Sequence, residues 1–130
     1  MVNDLTPKKE QVVFGDDNIV IQKYISGIKG GRTLDVEGFN AEVIKAGHVV
    51  IVKDGVYKPM PVSGEAYASL PTGHAYAGVV YRSVAKANPA VSIMTNGEVN
   101  EVAVPYPMDA ILAAFKTACP HVVFIKDEEA

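Results

Sequence analysis

Ala77-Gly78-Val79-Val80-Tyr81-Arg82-Ser83-Val84, a small polar link over residues 85–89, and then Ala90-Val91-Ser92-Ile93-Met94-Thr95 decide the fold class. These runs are short, rich in β-branched residues and bounded by turn formers, and apolar residues alternate in the second, as half-buried strands require. Asn96-Gly97 follows, then Glu98-Val99-Asn100-Glu101-Val102-Ala103-Val104. Asn-Gly between apolar runs predicts a type I′ hairpin, because both residues tolerate positive φ. The stretch reads as a meander of antiparallel strands that packs and carries no chemistry.

Upstream, Gly47-His48-Val49-Val50-Ile51-Val52-Lys53, Asp54-Gly55 and Val56-Tyr57-Lys58 spell a second hairpin by the same turn chemistry. Pro59 and Pro61 then end the pairing or put the strand at an edge. Residues 19–25 read as a strand after the turn signal Gly15-Asp16-Asp17-Asn18. Gly27-Ile28-Lys29-Gly30-Gly31-Arg32 reads as a loop leading to a short strand over residues 33–36. Residues 63–73 read as loop, with Pro71-Thr72-Gly73 as a turn. Val12-Val13-Phe14 reads as a short edge strand on an otherwise polar, flexible arm, residues 1–17.

One helix is expected, from Pro107 to Ala118, where Met108, Ile111, Leu112 and Phe115 share a face. Pro107 suits the first helical position, Asp109 the first turn and Lys116 the last, and Pro120 stops the helix. A strand over residues 122–125 and the acidic tail Asp127-Glu128-Glu129 close the chain. The prediction is a mainly β fold with one short helix, a small antiparallel sheet or barrel-like domain spanning residues 18–126, with residues 127–130 as a solvated tail.

Composition narrows the function. In 130 residues, 48% are hydrophobic and 21% charged, a folding composition of single-domain size. A net charge of -3, with the 12 Lys and Arg scattered, gives no electrostatic footprint for nucleic acid. Lone Cys119 forbids an intrachain disulfide and fits assembly in a reducing cytoplasm. The N-terminus lacks the basic and apolar regions of a secretion signal, and Val49-Val50-Ile51-Val52 falls far short of the roughly 20 apolar residues of a membrane helix, so a soluble protein with no membrane partner is expected.

Reactive constellations are equally sparse. His48, His74 and His121 lack zinc spacing, so no metal or cofactor is expected, and Cys119 at a helix end reads as an inert thiol. Ser26, Ser63, Ser69, Ser83 and Ser92 lack the context of a nucleophile elbow. The loop at residues 27–32 has glycines for a phosphate cradle but no Gly-Lys-Ser/Thr and no following helix. Asp16-Asp17 lacks the ligand ladder of a calcium loop. Tyr57, Tyr67, Tyr76 and Tyr81 could line a sugar or peptide groove if they converge. No enzyme is indicated.

The order Ala77 to Val84, polar loop, Ala90 to Met94, then Asn96-Gly97-Glu98-Val99-Asn100, resembles the lambda-type family of tailed-phage head decoration proteins, and the Asp54-Gly55 hairpin resembles that family's preceding strand pair. The likeness runs over residues 46–125; residues 12–39 depart from it by adding strand character to a plain arm. It implies a non-catalytic homotrimer, made in the host cytoplasm and resident on the virion, whose partner is the major capsid protein of the assembled head. Gln11, Val12, Val13 and Phe14 are the candidate capsid contacts, by addition of a strand to a capsid sheet edge. The alternative is a carbohydrate- or peptide-binding β module, including the capsid-binding base of a head fibre.

Overall fold

Four aliphatic residues in a row, Val49-Val50-Ile51-Val52, would expose every second side chain if only one face of their sheet were covered. Both faces are covered. In the computed structural model, which describes residues 17–125, Val49 and Ile51 belong to one buried cluster and Val50 to another. Val79 and Val80, and Met94 and Ile93, divide between the same two clusters. Side chains alternate across a strand, so a continuous apolar run marks a sheet with a core on each side.

The elements in chain order are α1 (Asp17–Val20), β1 (Ile21–Gly27), β2 (Arg32–Thr33), β3 (Val43–Ile44), β4 (Val49–Lys53), β5 (Val56–Pro59), β6 (Val62–Ser63), β7 (Ala66–Tyr67), β8 (Ala75–Val80), β9 (Val84–Ala85), β10 (Ala90–Val91), β11 (Ile93–Asn100), α2 (Leu112–Ala118) and β12 (Val122–Ile125). The six-stranded sheet runs β1-β11-β8-β4-β5, antiparallel throughout, and β12 joins β11 in parallel. Three two-stranded ladders, β10-β2, β3-β9 and β6-β7, surround it. The fold is therefore β-rich with small helical elements, as the strand pattern predicts.

The larger cluster gathers Met94, Val99, Met108 and Val122 around Phe115 of α2. On the other face Leu34, Ile44 and Val91, brought by the ladders, cover Val50, Val80 and Ile93. The Asp54-Gly55 hairpin forms as expected, with both residues at positive φ, 52° and 81°. Pro59 closes β5 on the sheet's edge, where Asp35 N–H donates to the Tyr57 carbonyl at 2.8 Å and covers part of that edge.

Asn96-Gly97 does not turn. Both residues lie inside β11, and Gly97 pairs with Tyr24 of β1 and Val122 of β12. A Cβ on Gly97 would stand 2.3 Å from the Lys23 carbonyl oxygen and 2.6 Å from Met94 Sδ, so this glycine serves close strand approach instead of positive φ. The strand ends three residues after Gly97, where the Asn100 carboxamide oxygen accepts from Val102 N–H at 3.1 Å, an Asx turn. Pairing on both edges outweighs the local turn preference.

Other boundaries move for similar reasons. Asp17 and Asn18 begin a helical turn rather than ending a plain one, and the strand then runs to Gly27. The strand expected over residues 33–36 shrinks to Arg32–Thr33, and the one expected to reach Val84 stops at Val80. Residues 63–73 hold β6, β7 and the turn at Gly64, whose φ is 66°. Helix α2 starts at Leu112 instead of Pro107, because Met108 and Ile111 close a turn first, with no side-chain cap. The buried face is still Met108, Ile111 and Phe115.

Candidate interaction surface

The candidate contacts Gln11, Val12, Val13 and Phe14 lie outside the described residues, as do residues 127–130. Chain direction nonetheless fixes what the arm leads into. Residues 17–20 run straight into β1, the open end of the sheet, where Tyr24 is 42% and Ile25 53% exposed. Bulges interrupt the pairing of β1 with β11 at three places, which blunts regular addition of another strand along part of this edge. Tyr24 stacks on Tyr81 with ring centroids 4.4 Å apart, and the Arg82 guanidinium lies 4.8 Å from the Tyr81 centroid. Tyr and Arg are the residue types that anchor protein interfaces.

The four tyrosines proposed for a groove do not converge. Tyr67 is buried and meets His48 and Tyr106, Tyr76 packs edge-on to Phe115, Tyr81 stacks on Tyr24, and Tyr57 lies under Arg32. Burial raises the pKa of Tyr67 and of Tyr76 above the usual phenol value, so both are neutral. Tyr67 Oη accepts from Val49 N–H at 3.1 Å, a structural use of the hydroxyl.

His48 is a core histidine. Phe39, Tyr67 and Tyr106 present ring contacts at 5.3, 5.3 and 5.6 Å. Its Nε2 lies 3.0 Å from the Met60 carbonyl oxygen, which can only accept, so Nε2 carries the proton. Desolvation lowers its pKa to about 4, against a smaller opposing effect of that hydrogen bond. His74 lies beside the Pro71 turn and His121 is exposed. Cys119 is buried, its Sγ 3.7 Å from the Tyr76 carbonyl oxygen, and burial pushes the thiol up to about 11. Such a thiol is a poor nucleophile at neutral pH. Ser83 Oγ accepts from Ala46 N–H at 2.9 Å. Among the described residues, no three His, Cys, Asp or Glu side chains are grouped to hold a metal ion, and no helix is long and apolar enough to cross a membrane.

Two concavities flank these features. A cleft of about 540 Å³ passes Asp35, Glu37, Phe39, Lys58 and Tyr106. A shallower groove of about 960 Å³ follows β1, the loop after it and β10. The sequence signals neither Phe39 nor Tyr106 as a cleft wall, because each is a lone aromatic in an irregular segment. No family model, no curated protein and no solved structure matches this chain.

Proposed function

We propose that this protein is a non-catalytic decoration protein of a tailed-phage head, binding the outside of the assembled shell as a trimer. The observation that supports this reading is the exposed edge strand β1, carrying Tyr24 and Ile25, set directly after the arm that holds Gln11, Val12, Val13 and Phe14. A two-sided core gives a stiff body, and the arm and edge give it something to grip with. Binding only the assembled shell stabilises that shell by mass action. Three linked contacts add avidity, since the second and third form at effective concentrations near ~1 mM.

Deleting residues 1–14 tests the role of the arm. Truncated protein is expected to keep its size in light scattering behind a sizing column, yet to be lost from sedimented capsids assembled from the encoding phage's major capsid protein. Unchanged capsid affinity would remove the arm from the mechanism.

A further inference from the structure

We infer that the groove beside β1 receives the acidic segment Asp127-Glu128-Glu129 of a second copy of this chain. The groove is formed by Tyr24, Ile25 and Ser26 of β1, by Lys29 of the loop, by Arg32 of β2 and by Ser92 after β10, and its lining contains two cations and no Asp or Glu. In a chain of net charge -3 this is an unusual local sign. Arg32 is held in place: Nη1 donates to the carbonyls of Lys29 and Gly31 at 3.1 and 2.5 Å, and the guanidinium sits 5.5 Å from the Tyr57 centroid. A guanidinium has five N–H donors, so three remain for a carboxylate. Gly30 and Gly31, both at positive φ, keep side chains away from the same loop, and Gly30 has open space beside it.

Chain reach argues against the same copy as the donor. β1 and β12 lie on opposite edges of β11, since both pair with Gly97 and Val99. Gly27 pairs with Met94 at one end of β11, whereas Ile125 pairs with Asn100 at the other. Six strand positions separate these points, about 20 Å at a strand's rise per residue. Beyond Ile125, Asp127 is reached within about 7 Å of chain and Glu129 within about 14 Å. The triplet's backbone therefore falls short of Gly27 within one molecule, and Arg32 pairs with Val91, three residues before Met94 in the chain, so a neighbour is the better donor. Opposite charge and the exposed apolar Tyr24 and Ile25 suit an acidic segment from a neighbour.

This inference rests on the oligomeric reading above, and two measurements keep the two apart. First, a peptide of residues 122–130 is titrated into ¹⁵N-labelled full chain. Shifts of the Ser26, Gly30, Gly31 and Arg32 amides are expected, weakened at least tenfold when the peptide carries Asp127→Asn, Glu128→Gln and Glu129→Gln. Second, Lys29→Glu with Arg32→Glu should raise the oligomer's dissociation constant at least tenfold, and adding Asp127→Lys, Glu128→Lys and Glu129→Lys should restore it. An oligomer indifferent to these changes, with a silent peptide, overturns the inference and leaves the oligomeric reading standing. A monomeric wild type sinks the oligomeric reading; a peptide that still shifts the groove then keeps it as an acceptor of this acidic segment, and a silent one ends both.

Discussion

Acidification should unload stability through one residue, His48. Its ring is buried among Phe39, Tyr67 and Tyr106 and is neutral in the fold, with a pKa lowered to about 4 from the ordinary 6.5. A lowered histidine pKa means that the unfolded chain binds the proton more readily, so stability is full above pH 6.5 and falls as the pH drops toward 4. From that gap the loss is about 2 kcal/mol by pH 5 and about 3 kcal/mol by pH 4, at 1.36 kcal/mol per pKa unit. Glu42 and Lys45 line a small cleft that also reaches His48 and are the charged groups nearest it there. Urea unfolding at one protein concentration, from pH 7 to pH 4, should be run on the wild type and on His48→Gln, which keeps a donor for the Met60 carbonyl. Carboxylates titrate in both proteins and cancel in the difference. The wild-type advantage should shrink by about 3 kcal/mol across the range. Parallel pH profiles, or an imidazole that titrates near 6.5 by NMR, would refute the reasoning.

Three further outcomes follow from particular contacts. Gly97→Ala places a methyl 2.3 Å from the Lys23 carbonyl, so β1 must move, and urea unfolding should show a loss of about 1–3 kcal/mol together with weakened amide protection in residues 21–27. Phe115→Ala empties the contact between Tyr76 and Phe124 in the larger core and should lose about 3–5 kcal/mol in the same assay. Cys119, buried and pushed up to about 11, should react with a thiol reagent at pH 7.5 only at the rate at which the fold opens; fast labelling of folded protein would contradict its placement.

The strand pattern carried the fold class because period-two alternation and the Asp54-Gly55 turn are local signals that the tertiary structure leaves intact. Asn96-Gly97 misled for a reason visible only in three dimensions: β1 and β12 flank it, and Gly97 is needed for their approach. The run Val49 to Val52 was legible as a strand, but its double-sided burial depends on ladders contributed by residues far along the chain. The helix was placed on the right face and given too many residues, since Met108 and Ile111 make a turn with the same spacing as a helix face. Of the candidate surface, Gln11, Val12, Val13 and Phe14 lie outside the described residues, and the Tyr24–Tyr81–Arg82 stack and the acid-free groove were not legible because they unite residues more than fifty positions apart.

Sedimentation of expanded capsids with labelled protein is the most direct test of the decoration reading. Binding is expected to saturate at a fixed ratio to capsid subunits, to arise from a protein that is already trimeric in free solution, and to raise the temperature at which the shell disassembles. A stable monomer that leaves capsids bare and their disassembly temperature unchanged would contradict it.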